Sequence, residues 1–238
     1  MTITLVATSH GTDVPAARFA ISALVESVRE ASPHLDVRAA YVDVQEPQVA
    51  RVVDSIDGPA VVVPLLLAPG FHVNVDIAAA AGRPSVVAAR TLGPDARLTS
   101  LLLDRLTTAG ATRDDVLVLG AAGSTDARAL QSVDAMARML GAVWGAPVPV
   151  GHVGGSGTPI EDIVRDVSGA GRRIVVASYL MAPGFFHERL RRCGADVVTR
   201  PLLDGTEVDT GLVSLVLERF TEAAGLIDRA SAGAVRQM

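Results

Sequence analysis

Lysine is missing altogether, so all 21 basic residues are arginine, and cysteine occurs once, at Cys193. A single cysteine excludes an intramolecular disulfide and any multi-cysteine zinc or iron–sulfur site within one chain, and Cys193 reads as a buried small hydrophobe. Any metal must then be held by other residue types. Without lysine the Gly-rich turn Leu119-Gly-Ala-Ala-Gly-Ser-Thr125 is not a P-loop, and it does not fit the dinucleotide fingerprint. The longest apolar run, residues 59–69, is strand-length where a membrane span needs about 20 residues, so no membrane partner is expected. Nor is there a positively charged leader: Met1-Thr-Ile-Thr-Leu-Val-Ala7 enters a strand at once, and the expected location is the cytoplasm. The net charge of -5 without a basic run argues against nucleic acid. The arginine bias reflects a GC-rich coding background, although guanidinium groups also pair well with the carboxylates of an acidic ligand.

What is present is apolar material in the right order. The 238 residues are 49% hydrophobic with a mean hydropathy of +0.37, enough for well-filled cores, and the length suits two domains. Apolar β-branched runs at residues 3–7, 37–42, 60–67, 85–89, 116–119, 148–153, 174–180 and 197–198 read as strands. Between them, residues 16–30, 48–55, 98–108, 127–143, 160–167 and 211–223 have helical spacing. Continuous apolar strands alternating with amphipathic helices predict an α/β fold, with parallel sheets covered by helices on both faces.

The chain also repeats itself. Val61-Val-Val-Pro-Leu-Leu-Leu-Ala-Pro-Gly-Phe71 matches Val175-Val-Ala-Ser-Tyr-Leu-Met-Ala-Pro-Gly-Phe185 at an offset of 114, Thr12-Asp13 matches Thr125-Asp126 at 113, and Glu46-Pro47 matches Thr158-Pro159 at 112. Two lobes of four strands each are expected, residues 1–110 and 111–238, joined near residues 107–114. In doubly wound sheets ligands bind beyond the carboxyl ends of the strands. There His10 follows the first strand, Glu46 the second and His72 the third; with a spatial order 2-1-3-4 the three converge on one rim.

Two neutral imidazoles and a carboxylate suit a borderline divalent metal with coordination positions left open. The same imidazoles accept protons near neutrality. Each residue also has a plain structural reading: an isolated strand-end histidine is commonly a hydrogen-bonded loop residue, and Glu46 before Pro47 suits the positive end of a helix dipole. The second half supplies an internal comparison. At the expected equivalents His10 becomes Gly123, Glu46 becomes Thr158 and His72 becomes Phe186, with His187 displaced by one place. One lobe is therefore expected to carry the site, and the other, degenerate, to form the opposite wall of a cleft. Backbone N–H groups at Gly11-Thr12 and at Ser124-Thr125, where helices begin, can receive a substrate carboxylate. His152, in the Gly-rich segment 150–157, and His34 read as structural or surface residues, and Arg189, Arg191 and Arg192 fit a solvated helix face as well as a carboxylate grip.

Ser9-His10-Gly11 after the first strand, Glu46-Pro47 after the second, and Pro64-Leu-Leu-Leu-Ala-Pro-Gly-Phe-His-Val-Asn-Val-Asp76 after the third resemble the sirohydrochlorin chelatases, the class II tetrapyrrole chelatases. The resemblance covers nearly the whole chain, most strongly residues 3–77. It implies two duplicated flavodoxin-like lobes and a site in the N-terminal lobe, as in the long two-lobed bacterial form. His10 and His72 would bind the metal and accept protons beside the acidic Glu46. Independently of the resemblance, the strand ends and helix starts are expected to supply substrate contacts at Ser9, Gly11, Thr12, Gly70, Phe71, Ser124, Thr125 and His187. The activity implied is insertion of Fe2+ into sirohydrochlorin to give siroheme and two protons, with no tightly bound cofactor, by a monomer or homodimer. The chain lacks the His-rich stretch and cluster cysteines of some cobalt-inserting relatives, which leans toward iron over Co2+ or Ni2+. A non-catalytic tetrapyrrole or metal carrier is the reading from another class.

Overall fold

The computed structural model describes residues 2–70, 77, 82–83 and 85–235. Two four-stranded sheets, parallel throughout, account for the eight expected strands. The first has the order β2-β1-β3-β4, from β1 (Thr4–Ser9), β2 (Val37–Tyr41), β3 (Ala60–Pro64) and β4 (Val86–Ala88); the second repeats it as β6-β5-β7-β8, from β5 (Val116–Ala121), β6 (Val150–His152), β7 (Ile174–Tyr179) and β8 (Val197–Val198). The α/β architecture is as the sequence predicts, and each sheet has the 2-1-3-4 order on which convergence of the site residues depends. Strands β1, β3 and β7 are buried along their whole length, which is why their sequences are unbroken apolar runs rather than alternating ones.

Seven α-helices are described: α1 (Pro15–Ala31), α2 (Val49–Asp54), α3 (Ala96–Thr108), α4 (Ala127–Trp144), α5 (Ile160–Val167), α6 (Phe185–Leu190) and α7 (Thr210–Val235). Their ends follow the chemistry of their first and last residues. Pro15 opens α1, where its missing N–H costs nothing, and Asp95 and Asp126 accept from the N–H groups of Arg97 (3.0 Å) and Arg128 (2.9 Å) to start α3 and α4. Gly145 closes α4 in the left-handed conformation at φ +83°. None of these helices is long and apolar enough to cross a membrane.

The chain divides into two compact units. Unit 1 comprises Met1–Leu66, Phe71–Leu92 and Val208–Met238, and unit 2 comprises Leu67–Gly70 and Gly93–Glu207. The expected boundary at 110/111 follows the repeat, and the compact units differ from it because each sheet is covered by a helix from the far side of that boundary. In unit 1 α7 packs on β3, β4 and α1; in unit 2 α3 packs on α4 and β7. In unit 1, Val6 and Val62 meet Val49, Val52, Val53 and Ile56 of the α2 segment in one apolar cluster. In unit 2, Val118 and Val176 meet Ile160, Val164 and Leu190 in its counterpart. Each fully buried Val or Leu contributes about 1.5–3 kcal/mol, so these clusters hold the strand ends, and the loops that leave them, in fixed positions.

Candidate functional site

The carboxyl ends of β1 and β2 are laced together by short hydrogen bonds. Val42 N–H donates to the Ser9 carbonyl (3.0 Å) and Asp43 N–H to the His10 carbonyl (2.9 Å), so His10 leaves the sheet with its backbone fixed against the second loop. Gly11 follows at φ +92°, and a Cβ on it would lie 2.0 Å from the Asp43 carbonyl oxygen; only glycine permits this approach. Thr12 N–H donates to Gln45 Oε1 (2.9 Å) and Val14 N–H to Thr12 Oγ1 (3.1 Å), which turns the chain into α1. Arg18 donates from Nε to the Thr12 carbonyl (2.6 Å) and pairs with Asp13 at 2.9 Å. On this frame the His10 side chain is exposed, its Nδ1 3.4 Å from the Gly11 carbonyl oxygen, at the outer limit of a hydrogen bond. Ser9 is buried, and its carbonyl serves the sheet.

Glu46 comes directly after the laced loop. Its Oε2 accepts from Gln48 N–H (3.1 Å) and lies 3.9 Å from Arg51 Nη1, so the carboxylate sits at the start of α2, in the place its structural reading anticipates. An exposed pair of this kind contributes at most about 1 kcal/mol and holds the side chain only loosely. Phe71 and His72 lie outside the described residues; Gly70, just before them, is partly buried. Among the described residues no three His, Cys, Asp or Glu side chains form a metal-binding group, and the expected trio includes His72.

The second rim repeats the first, in a register one residue away from the expected one. Val153 and Gly154 donate to the carbonyls of Ala121 and Ala122, as Val42 and Asp43 do to Ser9 and His10. Gly123 has φ +92° and a Cβ position 1.9 Å from the Gly154 carbonyl oxygen, as Gly11 has toward Asp43. Asp126 N–H donates to Ser124 Oγ (3.0 Å), as Val14 does to Thr12. The equivalent of His10 is therefore Ala122 rather than Gly123. Likewise His152 N–H bonds the Thr158 carbonyl where Tyr41 bonds that of Pro47, so Glu46 corresponds to Gly157 rather than Thr158. The conclusion that this rim lacks the histidine and the carboxylate is unchanged.

Ser124 and Thr125 form the turn into α4. The Ser124 carbonyl accepts from Ser156 N–H (3.0 Å), and Asp126 behind them spends its carboxylate on Arg128, which holds it below the usual carboxylate range. His187 points inward from α6, its Nε2 donating to the buried Thr199 carbonyl at 3.0 Å. His152 is buried, 6% exposed, with its ring against Gly157 and neither ring nitrogen partnered among the described residues; burial pushes its pKa down.

Across this repeated frame the CbiX family model matches residues 4–109 and 116–199. The chain belongs to the CbiX family. No curated protein matches its sequence. Among solved structures, SirB from Bacillus subtilis with Fe3+ has a TM-score of 0.76 at 19% identity, covering 94% of this chain and 98% of that one. The sirohydrochlorin chelatase SirB from Bacillus subtilis subspecies spizizenii in complex with cobalt gives 0.76 at 18%, covering 94% and 96%. CbiX, the terminal enzyme for biosynthesis of siroheme in denitrifying bacteria, gives 0.68 at 20%, covering 92% and 99%. At such identities the likeness is one of fold, and it extends over both sheets.

In this CbiX-family chain the second Ala-Pro-Gly-Phe motif runs into Phe185 and Phe186. They are exposed and packed edge to face on α6, with ring centroids 5.6 Å apart. The motif ends, like the first, just past the carboxyl end of a fully buried strand.

Proposed function

We propose that this CbiX-family protein is a metal chelatase that inserts a divalent ion, ferrous iron foremost, into sirohydrochlorin. The observation that carries the reading is the exposed imidazole of His10 on a rigid, glycine-pinned loop beyond a central parallel strand, where a large ligand can reach it. The reaction balances as M2+ plus the macrocycle with two pyrrole N–H groups, giving the metal complex and two H+. His10 and His72 would take the metal from water and accept the protons, and Glu46, loosely tied at the start of α2, would orient an imidazole or relay a proton. The rest is positioning; the Thr12 N–H expected to receive a substrate carboxylate is taken by Gln45 Oε1, which a carboxylate would have to displace. The site would lie within the N-terminal repeat. SirB has been solved with both Fe3+ and cobalt, so cobalt insertion is the second reading.

Anaerobic conversion of sirohydrochlorin with Fe2+, Co2+ or Ni2+, followed by absorbance, tests the proposal. His10→Ala should slow insertion at neutral pH by at least about a hundredfold with an unchanged unfolding curve. Wild-type rates in that variant would overturn the assignment, and stoichiometric binding without turnover in the wild type would favour a carrier instead. The fastest conversion when the three ions compete identifies the metal.

A further inference from the structure

Among the described residues Val44 alone, glycines aside, has a left-handed backbone, at φ +62°. A side chain branched at Cβ makes that conformation costly, and valine is among the residues that adopt it least. Val44 also leaves its side chain 46% exposed. Strain and exposed apolar surface both oppose folding, so the fold does not explain why valine stands there.

The loop holds the residue to this conformation. Gln45 N–H donates across Val44 to the Asp43 carbonyl (2.6 Å), closing a tight three-residue turn, and Val44 N–H donates to Asp43 Oδ1 (2.8 Å). Both ends of the turn are bound to the first loop. Asp43 N–H donates to the His10 carbonyl (2.9 Å), and Gln45 Oε1 accepts from Thr12 N–H (2.9 Å). Val44 is thus fixed on the rim that carries His10, and all of these residues belong to unit 1.

The second repeat meets the same demand without strain. Gly154 donates to the Ala122 carbonyl as Asp43 does to that of His10, so Gly155 corresponds to Val44, and its φ is +74°. Glycine enters this region freely. The rim with Ala122 has the relaxed residue, and the rim with His10 has the strained one. Backbone strain concentrates where a ligand uses the side chain that it holds.

We propose that Val44 is an apolar contact for the tetrapyrrole at the His10 rim, its isopropyl group packing against the carbon framework of the ring. The inference rests on the chelatase reading above. Val44 binds and orients the macrocycle and takes no part in metal or proton transfer.

Val44→Asn and Val44→Leu separate the contact from the conformation. The two new side chains have nearly one shape and no branch at Cβ; asparagine enters the left-handed region readily, and only leucine is apolar. Metal-free sirohydrochlorin is titrated into the full-length wild type and each variant, with fluorescence reporting Kd and anaerobic turnover reporting KM and kcat. Val44→Asn should raise Kd and KM about fivefold or more, leave kcat at saturating macrocycle within about twofold, and unfold at a urea concentration no lower than the wild type does. Val44→Leu should bind within about twofold of the wild type. If the wild type binds and converts the macrocycle while Val44→Asn binds it equally well, or while both variants weaken alike, the contact is wrong and the chelatase reading stands. A lower urea midpoint for Val44→Asn would mean that the valine serves the fold, and overturns the contact too. If the wild type neither binds nor converts the macrocycle, both fall.

Discussion

At the scale of single residues, the rims are built by what glycine permits and what burial forbids. Gly11 and Gly123 share φ +92° and a backbone approach that leaves no room for a Cβ, so the two loops have one shape whatever side chains they carry. Chemistry is then decided by the residue just before: His10 in the first repeat, Ala122 in the second. His152 shows the opposite use of a histidine. It is enclosed with no hydrogen-bond partner for either nitrogen among the described residues, and burial lowers its pKa below the ordinary 6.5. The unfolded chain therefore takes up this proton more readily than the folded one. The neutral side chain's contribution is present above pH 6.5 and is lost as the pH falls from there toward the folded-state value, at no more than about 1.4 kcal/mol per pH unit. Urea unfolding at pH 7.5 and 5.5 should show a larger loss of stability for the wild type than for His152→Phe, which keeps the volume without the titration. Equal losses would mean that His152 takes up its proton as readily in the fold as in the unfolded chain.

At the scale of elements, the packing of α6 makes a sharper demand than its sequence suggests. A Cβ on Gly120 would sit 2.7 Å from Val176 Cγ1 and 2.9 Å from both Leu190 methyl carbons. Gly120→Ala should therefore lift α6, costing about 1–3 kcal/mol of stability by overpacking. A variant with an unchanged melting temperature would show that the turn absorbs the methyl group. The four central strands were legible because they are continuous apolar runs, and the edge strands because they too are short runs rich in β-branched residues; of the longer helices the last was read only over its first half, as it runs from Thr210 to Val235. The six residues of α6 span less than two turns and show no period to read. The register between repeats was misread by one residue for a chemical reason. Ser124 does the work of Thr12, its hydroxyl oxygen accepting from the N–H two residues on, so the matching letters at Thr125 pointed to the wrong partner. His10 and Glu46 were legible from their places after strands. The contact of Glu46 with Gln48 is the structural one of its two readings, and it shows only once α2 is placed.

At the scale of the whole molecule, the repeat and the compact units are different divisions of one chain. Unit 1 needs Val208–Met238, because α7 covers β3 and β4. The junction is polar as well as apolar. Arg219, 0% exposed, donates to the carbonyls of Thr91 (3.1 Å) and Leu92 (3.0 Å) and pairs with Glu218, while Arg90 grips Glu222 through two bonds of 2.9 and 3.0 Å. A fragment cut at the repeat boundary, residues 1–110, keeps Arg90 and the carbonyls of Thr91 and Leu92 but loses Glu218, Arg219 and Glu222, with which they pair. It also exposes the apolar face that α7 covers and carries α3 with nothing of unit 2 to pack against. It should show no cooperative urea transition and should aggregate. Residues 1–92 joined by a flexible linker to 208–238 should instead unfold in one cooperative step, because that piece restores the cover helix and the buried arginine together. A cooperative transition for 1–110 alone would mean that α7 is dispensable and that the units follow the repeat after all.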